Sequence, residues 1–597
     1  MENVYKYYND TVDAYTRRVD NLRKRIHLFG TIRLFIVIAA IGLVWLAWAQ
    51  SWLLLAGVLL LCAIPFFVLM FYHAVLSNKK TYAEALIRLC NDELNGLNYD
   101  FSAFDGAPEK INSGHSFSLD LDIFGEHSVF QSINRTVTFI GKELLASWFT
   151  HPLADKESIV YRQEAVKELS SLSWLRQRFY VTGMLQPGNR NDANLLARLA
   201  DMPVYFSKHT FWRLSVWVVP ALWILLSAGL LYNLTDTTLF CSLFVLSFLV
   251  SYSNLKKINK IHHTVDKMEK ILATYAQLMK SIEGDTYKST LLTDIGCQLV
   301  SKDITASKAI KKLSSHIGTL DQRGTLTGVL LNIFTFRDIR VSIAIEKWNT
   351  EYGAYIEHWL NALAQFDALS SLAGFHFNHP DSVFPQIAGN YFRMEGKALG
   401  HPLIPRDVCV KNDISIRENP WFLIVTGANM AGKSTYLRTV GINFLLSCIG
   451  SSVCAEELTF YPAKLVTSLR TSDSLASNES YFFAELKRLK MIIDRLKEGE
   501  ELFIILDEIL KGTNSADKQK GSFALMKQLI TYNACGIIAT HDLALGSLEQ
   551  EYPAQIRNYR FEADITNDEL AFSYKLREGV AQNMNASFLM KKMGITL

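Results

Sequence analysis

Four short stretches hold residue types whose order suits phosphate chemistry. "GANMAGKS", Gly427 to Ser434, satisfies G-x-x-x-x-G-K-[S/T]. In such a loop backbone N–H groups and the following helix N-terminus hold phosphate oxygens, Lys433 neutralises the outer phosphates, and Ser434 offers its hydroxyl to Mg²⁺. "FIILDE" delivers Asp507, placed to complete a magnesium shell, and Glu508, placed to polarise an attacking water. "IIATHD" supplies His541, able to sense a γ-phosphate or orient water. Alone, an acidic pair at a strand end is often a solvated edge and a single histidine is often structural. Together and in this order they predict an ATPase with ATP and Mg²⁺ as cofactors, with Lys433, Glu508 and His541 catalytic and Ser434 and Asp507 on the metal.

These residues need a rigid frame. From Pro402 onward short apolar runs, "WFLIVTG", "ELFIILDE" and "CGIIATH", alternate with amphipathic stretches such as "TYLRTVGINFLL". That texture predicts a mostly parallel sheet with crossover helices. Upstream, "KMEKILATYAQLMKSI" and "YIEHWLNALAQFDALSSLA" repeat apolar residues at three- and four-residue intervals and predict long helices.

The wording of the loop, "TGANMAGKST", closely resembles the nucleotide loop of the MutS mismatch-repair family. Other motifs follow in that family's order: "GHPLI" before the loop, "DSLASNESYFFAEL", "DEILKGTNSADK", "ATHD" and "FSYKLREGVA". "NRTVTFIGKELLASWFTHPLADKESIVYRQEAVKEL" resembles its core segment and "LAQFDALSSLA" the end of its lever helices. The resemblance implies a dimer of ATPase domains with composite sites. Gly427, Ala428, Asn429, Met430, Ala431, Gly432, Lys433, Ser434 and Thr435 would bind nucleotide from one subunit, and Ser480 would reach it from the other. Tyr574 falls where an adenine contact is expected, and Cys409 stands at the family's stacking aromatic. The resemblance extends neither to a mismatch-reading domain nor to a clamp domain. "IFGEHS", with Phe124 and Glu126, aligns with the helical core rather than a DNA wedge, and a C-terminal oligomerisation helix-turn-helix is expected to be short or missing after "KKMGITL".

The composition adds a membrane. The mean hydropathy of +0.11 comes from two runs, Leu34 to Asn78, which has no charged residue, and Leu214 to Asn254, which carries only Asp236. Each is about twice the roughly 20 residues needed to span hydrocarbon, and each is interrupted by polar residues near its middle, so each reads as a helical hairpin. Arg17, Arg18, Arg23, Lys24, Arg25, Arg33, Lys79, Lys80, Lys208, Arg213, Lys256, Lys257 and Lys260 flank the runs and place both ends of both hairpins in the cytoplasm. The net charge of +3 excludes a global basic field for nucleic acid, and eight cysteines without a C-x-x-C pair read as reduced thiols.

The expected molecule is therefore a multidomain protein with four transmembrane helices, an all-α core and a C-terminal α/β P-loop ATPase domain of the ABC/MutS type. Its divisions are a basic leader (1–33), hairpin one (34–78), helical core (79–213), hairpin two (214–254), lever and core (255–386) and ATPase domain (387–597). Expected partners are a second copy of the chain and the lipid bilayer, in a bacterial inner membrane with the ATPase domain in the cytoplasm. Two alternatives remain. One is a mismatch-repair or tethering protein on duplex DNA, using "SKDITASKAIKKLSSH" or the leader. The other is an ATP-driven transporter component.

Overall fold

The computed structural model describes residues 1–48, 52–186, 202–232, 234–266, 268–301, 304–389, 392–417, 420–428, 430–470, 481–566 and 569–582. It opens with two long antiparallel helices, α1 (Glu2–Ala47) and α2 (Trp52–Leu97), each 46 residues, or about 69 Å at 1.5 Å per residue. The leader is thus no separate element: one helix runs across the compositional boundary at residue 33. The upper halves expose Leu34, Phe35, Ile41, Leu60 and Leu61. The lower halves bury Val4, Tyr8, Leu86, Leu89 and Cys90 against Val181 and Phe377. By length and composition α1, α2 and the Thr210–Leu231 helix are each apolar enough to cross a membrane. A fourth span arises if Thr237–Ser253 and Leu255–Val265, bent by 49°, are taken as one.

The foot of this stalk is fixed by a buried polar junction. Arg135 Nε donates to Glu93 at 2.6 Å, Asn378 Nδ2 donates to Glu93 at 2.8 Å, and Tyr8 Oη donates to Asn378 at 2.9 Å. Asn378 is the last residue of the Ile356–Asn378 helix, which is buried along most of its length. That helix packs on Phe139–Thr150 and Lys156–Ser171 and runs on into the ATPase domain.

Hairpin two is tied to the core where the chain enters it. The fully buried Glu346 carboxylate accepts the amides of Tyr205, Phe206 and Ser207 at 2.6–3.1 Å where the chain enters the hairpin. Inside Thr210–Leu231, Pro220 lacks the N–H that would pair with the Val216 carbonyl. Arg340 supplies the missing donor at 2.8 Å. A further short apolar helix, Leu326–Thr335, unforeseen from the sequence, packs against both hairpin helices.

The T-x-x-G of the core segment has a steric explanation. Thr138 caps the Phe139–Thr150 helix by accepting the Gly141 amide at 3.0 Å, and it donates its hydroxyl to Asp367 at 2.7 Å. Asp367 also accepts the Val137 and Thr138 amides at 3.1 and 2.8 Å. A Cβ on Gly141 would lie 2.3 Å from Asp367 Oδ2, so only glycine lets the lever helix approach.

The C-terminal domain holds a six-stranded sheet in the order Arg577–Glu578, Ile556–Phe561, Trp421–Gly427, Cys535–Thr540, Leu502–Asp507, Lys464–Ser468. All neighbours are parallel except the short first strand. Both faces are covered, which explains the unbroken apolar strand sequences. Leu423, Val425, Ile505 and Ile537 pack with Leu437 and Val440 of the Lys433–Cys448 helix, whereas Phe422, Ile424, Ile504 and Ile538 pack with Leu489, Ile492 and Met526. A four-stranded sheet built on Met394–Leu399 and Asn412–Ile416 stands beside it.

Residues 115–124 dock on the edge of the main sheet. Thr467 N donates to Ser116 O at 2.9 Å, and Asp120 accepts the Leu469 and Arg470 amides at 3.1 and 3.0 Å. Phe124 is buried against Phe130, with ring centroids 5.3 Å apart, which agrees with a core rather than a wedge role.

Gly141→Ala is expected to destabilise the chain by about 1–3 kcal/mol through overpacking. Denaturant unfolding of the detergent-solubilised protein followed by tryptophan fluorescence reads this, and an unchanged midpoint would refute the account of the T-x-x-G motif.

Candidate nucleotide site

Parallel pairing places the C-terminal ends of Trp421–Gly427, Cys535–Thr540 and Leu502–Asp507 side by side, with Thr540 opposite Thr426 and Ala539 opposite Asp507. Three sequence-distant motifs therefore meet at one sheet edge, the usual place for a ligand in such folds. The loop from Gly427 leads directly into the Lys433–Cys448 helix. Gly432 has φ +105°, a left-handed conformation that turns the loop into the helix, and a side chain there would also press on Tyr574.

Lys433 Nζ lies 2.8 and 3.0 Å from the carbonyls of Gly427 and Ala428, and 3.2 Å from His541 Nε2. Burial lowers its pKa below the ordinary lysine value, partly offset by Asp507 and Glu508. Ser434 donates to Asp507 Oδ2 at 2.6 Å. Asp507 is nine-tenths buried, burial raises its pKa, and its Oδ1 has no hydrogen-bond partner among the described residues. A hydroxyl beside a carboxylate with one free buried oxygen fits a hard, oxygen-seeking cation, so Ser434 and Asp507 suit Mg²⁺. When bound, the ion would neutralise phosphate charge.

Glu508 Oε1 is 2.7 Å from His541 Nε2 and Oε2 is 3.5 Å from Lys511 Nζ. The His541 hydrogen bond holds the Glu508 carboxyl down to about 2, so it is an ionised acceptor throughout the neutral range. Such a group can orient a water and take its proton.

The other anticipated residues fall around the same cleft of about 500 Å³, whose walls include Ala428, Met430, Gly432, Thr435, Cys409 and Tyr574. Ala431 is buried behind the loop, and Met430 points outward, 79% exposed. Tyr574 stacks on Phe572, with centroids 6.0 Å apart, and its carbonyl accepts from Asn412 at 2.9 Å. Asn429 and Ser480 lie outside the described residues, as do the chain-terminal residues 583–597 that hold "KKMGITL".

Two residues were not foreseen. His401, part of "GHPLI", lines the cleft, and burial pushes its pKa down to about 4, leaving it neutral. Glu485 is buried on the Tyr481–Lys497 helix and accepts the amides of Leu510 and Lys511, the latter at 3.2 Å. Glu508 and Leu510 both have positive φ, +50° and +59°, which costs about 1–3 kcal/mol for each non-glycine residue. Glu485 restrains this strained turn from the helix that directly follows the Ser480 segment. An acidic residue in an apolar helix pattern is the only sequence signal it leaves.

A parallel sheet with a glycine-rich loop feeding a helix, a Ser–Asp pair beside it and a Glu–His pair across from it defines a P-loop nucleotide-binding domain. The description MutS domain V matches residues 423–592 and MutS domain III matches residues 115–373. The chain belongs to the MutS family, and domain V is that family's ATPase domain. It is 32% identical over 239 residues to the DNA mismatch repair protein MutS of Thermotoga maritima, covering 39% of this chain and 29% of that protein. Against the MutS of Chlorobium phaeobacteroides it is 24% identical over 507 residues, 76% of this chain and 56% of the relative. Human MutS protein homolog 4 is 31% identical over 195 residues, 31% of this chain and 20% of the relative. The chain thus spans less than two thirds of the length of each of these relatives.

Glu485→Gln is expected to lower kcat for ATP by about tenfold or more while leaving nucleotide affinity within about twofold, because it touches the turn and not the cleft. Steady-state hydrolysis alongside fluorescent-nucleotide titration separates the two, and an unchanged kcat would remove Glu485 from the site. His541→Ala releases Glu508 from about 2 towards its ordinary 4.5, so whatever rate remains is expected to fall off at higher pH than in the wild type. A pH–rate profile with the same acid limb in both proteins would contradict that coupling.

Proposed function

We propose that this chain is a membrane-anchored MutS-type ATPase that binds and hydrolyses ATP with Mg²⁺ at composite sites of a homodimer and passes the resulting motion to its helical levers. The observation that carries the reading is the convergence of Lys433, Ser434, Asp507, Glu508 and His541 on one cleft. Lys433 would hold the phosphates, Ser434 and Asp507 the metal, and Glu508, kept ionised by His541, would polarise the attacking water. Ser480 would complete the site from the second subunit. The lever arises from continuity: the C-terminal end of Ile356–Asn378 is held to the α1/α2 stalk through Asn378, and the chain leads on from that same end into the ATPase domain. The exposed apolar surfaces of both hairpins support placing their tips across a bilayer, with the ATPase domain on the side marked by Lys79, Lys80, Lys256 and Lys257.

Duplex DNA is the second reading, favoured by relatives named as DNA mismatch repair proteins. The lysines of "SKDITASKAIKKLSSH" bear on it. Lys308, Lys311 and Lys312 lie on the exposed face of Ala306–Asp321, opposite the buried Ile310, Leu313 and Ile317, an arrangement that solvation alone explains.

Lys433→Ala is expected to lose ATP binding, and Glu508→Gln to bind ATP but fall by about 10²-fold or more in kcat. Mixing Ser480→Ala with Glu508→Gln protein is expected to restore part of the rate through hybrid dimers, each with one intact composite site, and no recovery would argue against sharing in trans. Removing Mg²⁺ with a chelator is expected to stop hydrolysis. In fractionated cells the chain is expected in the membrane pellet after carbonate washing, and recovery in the supernatant would end the anchored reading. Binding to matched and mismatched duplexes over a salt series distinguishes the DNA reading, since phosphate contacts weaken steeply with salt.

A further inference from the structure

We propose that the Leu326–Thr335 helix is itself a membrane-inserted element, seated among the acyl chains of the leaflet that hairpin two enters. This rests on the reading that hairpin two spans the bilayer. The helix has ten residues, "LTGVLLNIFT", about 15 Å and half a hydrocarbon core. It cannot cross, and Arg323 precedes it while Arg337 and Arg340 follow it, so both ends lie on one side.

Its inner face is committed. Phe334 packs edge-on against Trp223 of Thr210–Leu231 at 4.7 Å and Phe244 of Thr237–Ser253 at 6.3 Å, and Ile333 is buried. Asn332 turns inward and accepts the Asp338 amide at 3.0 Å. Three consecutive residues in the middle of the helix, Val329, Leu330 and Leu331, stay exposed by 47%, 44% and 48%, so apolar surface is uncovered over more than half of its circumference there. The two hairpin helices on which it packs expose apolar residues as well, Leu225 by 67% and Leu246 by 59%.

Two further features select lipid as the occupant. Backbone groups placed in hydrocarbon need partners within the protein, and groups at both ends of this helix have them. Thr325 Oγ1 accepts the Gly328 amide at 3.1 Å, Phe336 N donates to Asn332 O at 2.9 Å, and Arg340 donates to Thr335 O at 3.4 Å. The flanks carry three arginines, Arg323, Arg337 and Arg340, against Asp321 and the buried Asp338, an excess of positive charge that suits a layer of anionic headgroups on the side to which both ends return. Arg340 also lies 5.3 Å over the Trp217 ring, an aromatic–cation pair suited to the interfacial zone.

The test uses the full chain in phosphatidylethanolamine/phosphatidylglycerol nanodiscs, with the exposed Cys241 and Cys297 changed to serine. Leu330→Cys is labelled with an environment-sensitive fluorophore, Leu331→Cys is a second probe about 100° further round the helix, and Leu225→Cys reports on hairpin two. The unsubstituted background corrects for residual labelling. Expected is strong quenching of all three probes by nitroxide lipids and protection from aqueous iodide. If Leu225→Cys is quenched by lipid while both helix probes are quenched by iodide, the proposal fails and the spanning hairpin stands. Iodide quenching of all three overturns the membrane reading and the proposal with it. Helix probes shielded from both quenchers in a concentration-dependent way would place a second copy of the chain on this face and overturn the proposal.

Discussion

Everything above the ATPase domain hangs on the buried ion pair between Arg135 and Glu93, both of whose side chains are less than 10% exposed. Burying two charges costs several kcal/mol for each ion before their attraction is counted. The protein offsets this with hydrogen bonds: Asn378 donates to the same carboxylate, Arg135 donates to the carbonyls of Ser132 and Asn134, and its guanidinium covers Phe104 at 3.3 Å. The pair joins three segments far apart in sequence, the foot of α2, the loop before the first core helix and the end of the lever. A charged contact this enclosed tolerates little sliding, because any separation strands a charge in apolar surroundings. The stalk and the lever end are in consequence one mechanical piece.

The nucleotide cleft has the opposite character. Its polar groups bond to one another across strand ends through single contacts, Ser434 to Asp507 and His541 to Glu508, and the turn holding Glu508 is strained. Such a site can exchange its internal hydrogen bonds for those of a ligand without disturbing the sheet beneath it, whose central strands Leu502–Asp507 and Cys535–Thr540 are buried along their whole length. The rigid part lies under the chemistry and the adjustable part lies in it.

The sheet was legible in the sequence because its strands, sandwiched between helices, leave continuous apolar runs, and the loop was legible because phosphate binding permits few backbones. Asp507, Glu508 and His541 could be located because each terminates one of those runs. Glu485 and His401 were hidden, since what matters about them is which amide they meet or which cavity they face, and neither is encoded in spacing. The division between leader and hairpin one misled for a different reason. Composition records where charge ends, while α1 continues as helix wherever no residue interrupts its hydrogen bonds. The Leu326–Thr335 helix escaped notice because a largely apolar stretch of ten residues falls short of every length that marks a span. Conversely, Phe124 and Glu126 were read as core from their place in the chain, and the packing of Phe124 on Phe130 agrees.

Hairpin two interrupts the helical core like an insertion, and its flanks suggest it could be excised cleanly. The contacts at its base say otherwise. Glu346 spends its carboxylate on the amides that lead into the hairpin, and Arg340 spends its guanidinium on the carbonyl that Pro220 leaves open. Both belong to the Arg337–Tyr352 helix, Glu346 buried in the core and Arg340 exposed near the start of the helix. Deleting the hairpin would take away the carbonyl that Arg340 meets and the chain whose entry Glu346 anchors, so the inserted segment and the scaffold that receives it are mutually dependent and would have to be gained or lost together.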